Sequence, residues 1–198
     1  MEKYKSRQII TAAISLIVIA VAIAALIYAA RVLFFNNGTN IAQINASQQA
    51  LIDTTADRSV RMTVRGPIVS NETFRSYQIT VAPGIRSLTI NKGYIGQVVS
   101  DTKLGNNIPA YEQFVYALDK ANMMRGTELT GDNNDLRGVC AAGRVYEFQI
   151  LNANKSEKQL WTTSCSTARG SLNASLDSLT RLFDAQIPDF TKLTADLW

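Results

Sequence analysis

Arg58-Ser59-Val60-Arg61-Met62-Thr63-Val64-Arg65 is the stretch that decides the fold. Val60, Met62 and Val64 alternate with Arg61, Thr63 and Arg65, and a period of two is that of a strand with one buried face. The same period returns downstream. Tyr77, Ile79 and Val81 alternate with Ser76, Gln78 and Thr80, and Leu88 and Ile90 face inward on a third run. A fourth run covers Tyr94–Ser100. Gly66-Pro67 with Asn71-Glu72 marks the first connection, Ala82-Pro83-Gly84-Ile85 reads as a type II turn, and Asn91-Lys92-Gly93 makes the third. Four strands joined by short turns form an antiparallel meander.

Beyond the meander the period lengthens. Gly105-Asn106-Asn107 stops the sheet and Pro109 opens a helix whose stripe is Tyr111, Phe114, Val115, Leu118 and Ala121. Gly126 is expected to end it, and a polar loop follows to Cys140. Tyr146, Phe148 and Ile150 belong to a fifth strand, and residues 152–155 turn into a sixth that carries Leu160 and Trp161 towards Cys165. Leu172, Leu176, Leu179 and Phe183 give a last amphipathic helix, stopped by Pro188, with a tail at 191–198 expected to fray. The expectation for residues 57–190 is an α+β domain: an antiparallel sheet of about six strands with two helices packed on its apolar face.

Upstream, Ile41, Ile44, Gln48 and Leu51 have helical spacing inside a nearly uncharged Asn- and Gln-rich stretch, so 36–56 reads as a linker with a short helix. Before it, Ile9–Ala30 contains no charge. As a helix this run is about 33 Å long, which matches a bilayer core. Lys3, Lys5 and Arg7 precede it and only Arg31 follows. Basic residues stay on the cytoplasmic flank, so 1–8 is expected to be a cytoplasmic tail, 9–35 a signal-anchor helix, and the remainder extracytoplasmic. A cleaved signal peptide fits less well, because the run exceeds the usual apolar length and the small-x-small site Ala22-Ile23-Ala24 lies inside it.

Composition narrows the function classes. The net charge of +4 belongs mostly to the topology signal, since after residue 35 there are 16 Lys+Arg against 15 Asp+Glu. A nearly neutral domain lacks the concentrated basic face that phosphates require, so nucleic acid is not an expected partner. The two cysteines, Cys140 and Cys165, read as one disulfide in an oxidising compartment. There is no histidine. That removes the commonest general base and most zinc chemistry, so no catalytic residue, metal or cofactor is expected.

Four local patterns remain. Ser100-Asp101-Thr102-Lys103 has the Ser-x-x-Lys spacing of penicillin-binding enzymes but falls at a strand end and lacks that group's partner motifs. Gly131-Asp132-Asn133-Asn134-Asp135 is rich in oxygen ligands but is not an EF-hand loop, and reads as solvated. Trp161 reads as a core ring packed on the disulfide rather than a sugar platform. Arg61, Arg65 and Arg75 are the candidate ligand surface, a cluster on the outer face of neighbouring strands suited to carboxylates or anionic glycans; the alternative is edge protection.

The stretches 64–69 (Val-Arg-Gly-Pro-Ile-Val), 74–77 (Phe-Arg-Ser-Tyr), 110–118 (Ala-Tyr-Glu-Gln-Phe-Val-Tyr-Ala-Leu), 161–165 (Trp-Thr-Thr-Ser-Cys) and 186–189 (Gln-Ile-Pro-Asp) carry a likeness. Through them most of residues 58–190 resembles uncharacterised single-pass membrane proteins of Saccharibacteria, episymbiotic bacteria of the candidate phyla radiation. The resemblance implies a bacterial cell envelope and one anchored domain, and transfers no catalytic residue.

Three functions follow as expectations. The first is a non-catalytic binding or structural module, held in the bilayer by its N-terminal helix and meeting a protein or surface glycan outside. The second is a pilin-like filament or envelope-assembly subunit, although Met1–Ile10 has no Gly for prepilin cleavage. The third is a cell-envelope hydrolase acting through two carboxylates about 5–9 Å apart.

Overall fold

The computed structural model describes residues 46–166 and 170–198. The apolar run 9–30 and its flanks lie outside them. Among the described residues no helix is long and apolar enough to cross a membrane.

The domain is α+β, built on one six-stranded antiparallel sheet. Its strands are β1 (Arg58–Arg65), β2 (Arg75–Val81), β3 (Ile85–Lys92), β4 (Gln97–Gly105), β5 (Val145–Asn152) and β6 (Lys155–Thr163). In space they run β4-β3-β2-β1-β5-β6. The meander is as the alternation requires, and the β5–β6 hairpin docks beside β1. Val60 therefore has Val81 on one side and Ile150 on the other. Both edges of β1 are hydrogen-bonded, so the strand with the clearest alternation is central.

One face of the sheet carries the helices. We number them α1 (residues 46–52), α2 (Ile108–Lys120), α3 (Leu176–Asp184) and α4 (Phe190–Leu193). Val60, Met62, Ile79, Leu88, Phe148 and Ile150 bury against Tyr111, Val115 and Leu118 of α2 and Leu179 and Phe183 of α3. Phe183 lies edge-on to Phe114 at 5.3 Å between ring centres. Asn107 caps α2, its Oδ1 accepting from the Ala110 N–H at 2.9 Å.

Several expectations are corrected. Helix α2 ends at Lys120, not at Gly126, because Asn122 takes the left-handed conformation (φ 60°) that glycine usually supplies. Met123 and Met124 then enter the core. The 82–85 turn is not type II, since Gly84 does not have the positive φ that type requires. Its carbonyl instead accepts from the Asn106 N–H at 3.1 Å. The fourth strand lies further on than expected, from Gln97 to Gly105, after a turn with positive φ at Gly93 and Gly96.

Both domain limits also move. Residues 46–52 are not linker, because Leu51 is only 1 % exposed within the core and Gln48 Nε2 donates to Asp119 Oδ1 of α2 at 3.1 Å. Arg58 pins the same segment, pairing with Asp53 at 2.9 Å and with Glu157 of β6. The tail does not fray. Leu197 is buried, and the Trp198 ring lies so close to Gly66 that a Cβ there would overlap it, with the Arg144 guanidinium 4.7 Å from the ring centre.

Candidate functional site

Cys140 and Cys165 form a disulfide that joins the entrance of the β5–β6 hairpin to its exit. Cys140 is also one wall of a cavity of about 160 Å³ at the end of the sheet. Arg65 and Gly66 at the end of β1, Ile68, Phe74, Tyr94, residues 136–140 and Val145 complete the lining.

Local contacts hold this wall in shape. Phe74 and Tyr94 stack at 4.2 Å with planes 18° apart. The Tyr94 hydroxyl donates to Val69 O at 2.7 Å and lies 3.2 Å from the Val69 N–H, which donates to it. The Tyr94 N–H in turn donates to Asn71 Oδ1 at 3.0 Å. On the other side the Ile68 N–H donates to Ala141 O at 2.8 Å, joining the 66–74 loop to the cystine loop.

The arginines at this cavity are already engaged. Arg65 Nε lies 2.8 Å from Glu147 Oε1, and Arg137 forms a 2.5 Å ion pair with Asp135. Glu147 is 5 % exposed, on the sheet face away from the helices. Burial raises its carboxyl pKa, opposed by Arg65. Gln159 Nε2 donates to Glu147 Oε2 at 2.9 Å, and Gln149 Nε2 donates to Gln159 Oε1 at 2.9 Å, so a short polar chain crosses β5 and β6. Each of these guanidinium groups is thus paired with a carboxylate, and much of the remaining lining is apolar.

The register separates the three candidate arginines. Arg65 lies opposite Ser76 and Arg61 opposite Thr80, on the open face of the sheet. Arg75 shares the other side with Tyr77, and its guanidinium donates to Glu72 O and Phe74 O. The expected cluster on one face is therefore reduced to Arg61 and Arg65. Among the described residues no carboxylate pairs with Arg61; its Nε donates to Thr80 Oγ1 at 3.1 Å, and burial lowers its pKa.

The other motifs resolve locally. Ser100 and Lys103 stand three residues apart on β4, so their side chains point to opposite faces and cannot meet. Lys103 instead pairs with Asp101 at 2.8 Å. Asn134, in the short 3₁₀ turn Gly131–Asn134, accepts from Trp161 Nε1 at 3.1 Å. Trp161 is buried, but beneath that loop on the face opposite the helices rather than in the main core. The two acids with raised pKa, Glu147 and Asp184, lie on opposite sides of the sheet and do not form a carboxylate pair.

Sequence reasoning missed Phe74, Tyr94 and the 136–140 wall, because three separate loops bring them together. One signal was legible: Tyr94-Ile95 is an apolar pair between two turn glycines, Gly93 and Gly96. No family model matches the chain, and no curated protein matches it in sequence.

Proposed function

We propose that this chain is a single-pass membrane protein whose domain stands outside the cell as a non-catalytic binding module of a bacterial envelope. In this reading residues 9–35 are the anchor, 1–8 are cytoplasmic, and the partner is a protein. The cavity carries the reading. At about 160 Å³ it is well below the ~300–1,000 Å³ of small-molecule sites and close to the ~150 Å³ that accepts a benzene ring. It therefore fits one aromatic or aliphatic side chain of a larger partner. The lining is mostly apolar, which suits a hydrocarbon side chain better than the hydroxyls of a sugar ring. The cystine supports an oxidising location.

The test uses intact cells. A membrane-impermeant amine reagent labels the exposed Lys155 without lysis, and a photo-crosslinking residue at the exposed Val69, next to the lining residue Ile68, captures one reproducible protein. Ile68→Asp, at a half-exposed position where folding tolerates charge, abolishes that capture. Labelling only after lysis refutes the location, and capture unaffected by Ile68→Asp refutes the cavity.

A further inference from the structure

The outer edge of β4 has no neighbouring strand among the described residues. We infer that it pairs with the β4 edge of a second copy of this chain, antiparallel about a two-fold axis at Thr102, to give one continuous twelve-stranded sheet. This inference is independent of the cavity and of what the cavity holds.

Charge sets the register. A two-fold axis perpendicular to the sheet places the central residue opposite itself. Centring on Asp101 would oppose two carboxylates, and centring on Lys103 would oppose two ammonium groups. Centring on Thr102 puts Asp101 of each copy opposite Lys103 of the other. Both side chains lie on the open face, as Asp101 pairs with Thr89 and Lys103 with Ser87. Each copy already holds its own Asp101–Lys103 pair at 2.8 Å, so the four charges would close into an alternating ring.

Apolar exposure agrees with the same axis. At one end of β4, Ile95 is 93 % exposed and is followed by exposed Val98 and Val99. Just past the other end Ile108 is 57 % exposed. Antiparallel pairing about Thr102 brings the first end of one copy towards the last end of its mate, twice, so the exposed side chains at 95–99 of each lie by Ile108 of the other. The register shift between Ile90 and Asn91 places a bulge at Val99. Lys103 and that bulge would ordinarily read as edge protection. The bulge, however, lies outside the regular segment 100–104 that this register uses, and Lys103 is neutralised.

The experiment introduces Thr102→Cys into the full chain in its membrane. The native cysteines are already paired, so the new thiol can couple only to another molecule. Mild oxidation is expected to give a disulfide-linked dimer about tenfold above that from Gln78→Cys on the open face, since residues facing each other across an axis have Cβ atoms within reach. Asp101→Lys or Lys103→Asp alone should remove the dimer, and the double reversal should restore it. Thermal unfolding of each variant reports that the domain is folded. Thr102→Cys coupling no better than Gln78→Cys overturns the pairing, as does coupling to a different protein. Dimer formation that ignores the single reversals overturns the register.

Discussion

Asp184→Asn should stabilise the domain, and only above a defined pH. Asp184 closes α3 beside the buried core, where the helix dipole already disfavours negative charge. Its Oδ1 is buried with no hydrogen-bond partner, and burial pushes its carboxyl up to about 6 from 3.8. Between those values the folded protein holds the proton that the unfolded chain has released. Stability therefore falls as pH rises through that window, and the full penalty is present above about 6. Two pKa units correspond to at most about 3 kcal/mol, and partial access of water reduces this to about 1–2 kcal/mol. Asparagine removes the charge and keeps the shape. At pH 7.5 thermal unfolding should rise by about 3–6 °C for a domain of this size, while at pH 4 the variant and parent should coincide. Comparing the two proteins at each pH cancels the other titrating groups. A gain at pH 4 equal to that at pH 7.5, or a loss at pH 7.5, refutes the reasoning.

Leu51→Ala should cost about 3 kcal/mol in urea unfolding, because the side chain is fully buried between α1 and the core; a cost below about 1 kcal/mol would return residues 46–52 to the linker. Removing the disulfide with Cys140→Ser and Cys165→Ser together should lower stability by about 3–4 kcal/mol, the entropy of a closed loop of about 26 residues, read as a shift in urea midpoint. Ala153→Gly should stabilise by about 0.5–1 kcal/mol in the same assay, since Ala153 holds a φ of 47° at the first central position of the β5–β6 turn, where a Cβ is strained.

The strands were legible because alternation is a local property. Val60, Met62 and Val64 need no knowledge of the rest of the chain to declare a buried face. The cystine was legible because two cysteines allow one pairing. Less visible was whatever depends on register or on distant contacts. Arg75 shares the parity of Tyr77, Ile79 and Val81, so the alternation of β2 already separates it from Arg61 and Arg65; grouping the three rests on nearness in sequence and not on phase. Asn122 went unread as the helix end because asparagine adopts left-handed geometry less often than the glycine four residues later. Leu51 and Leu197 looked peripheral, and only the packed core reveals them as part of it. Glu147 faces the open side of the sheet, as its alternation with Phe148 requires, and its burial there depends on neighbours that alternation does not name.

The central position of β1 also governs how the chain must assemble. Val60 finds its second neighbour, Ile150, only after ninety further residues have been synthesised. The meander can close early from contacts nearby in the chain, yet one rim of β1 then waits for the β5–β6 hairpin. Closing so distant a pairing is the slow kind of step, and a rim left waiting invites pairing with the wrong chain. Nascent chains that stop before Val145 should therefore be the sticky ones, and the cystine-bearing hairpin is the piece whose arrival ends that vulnerability.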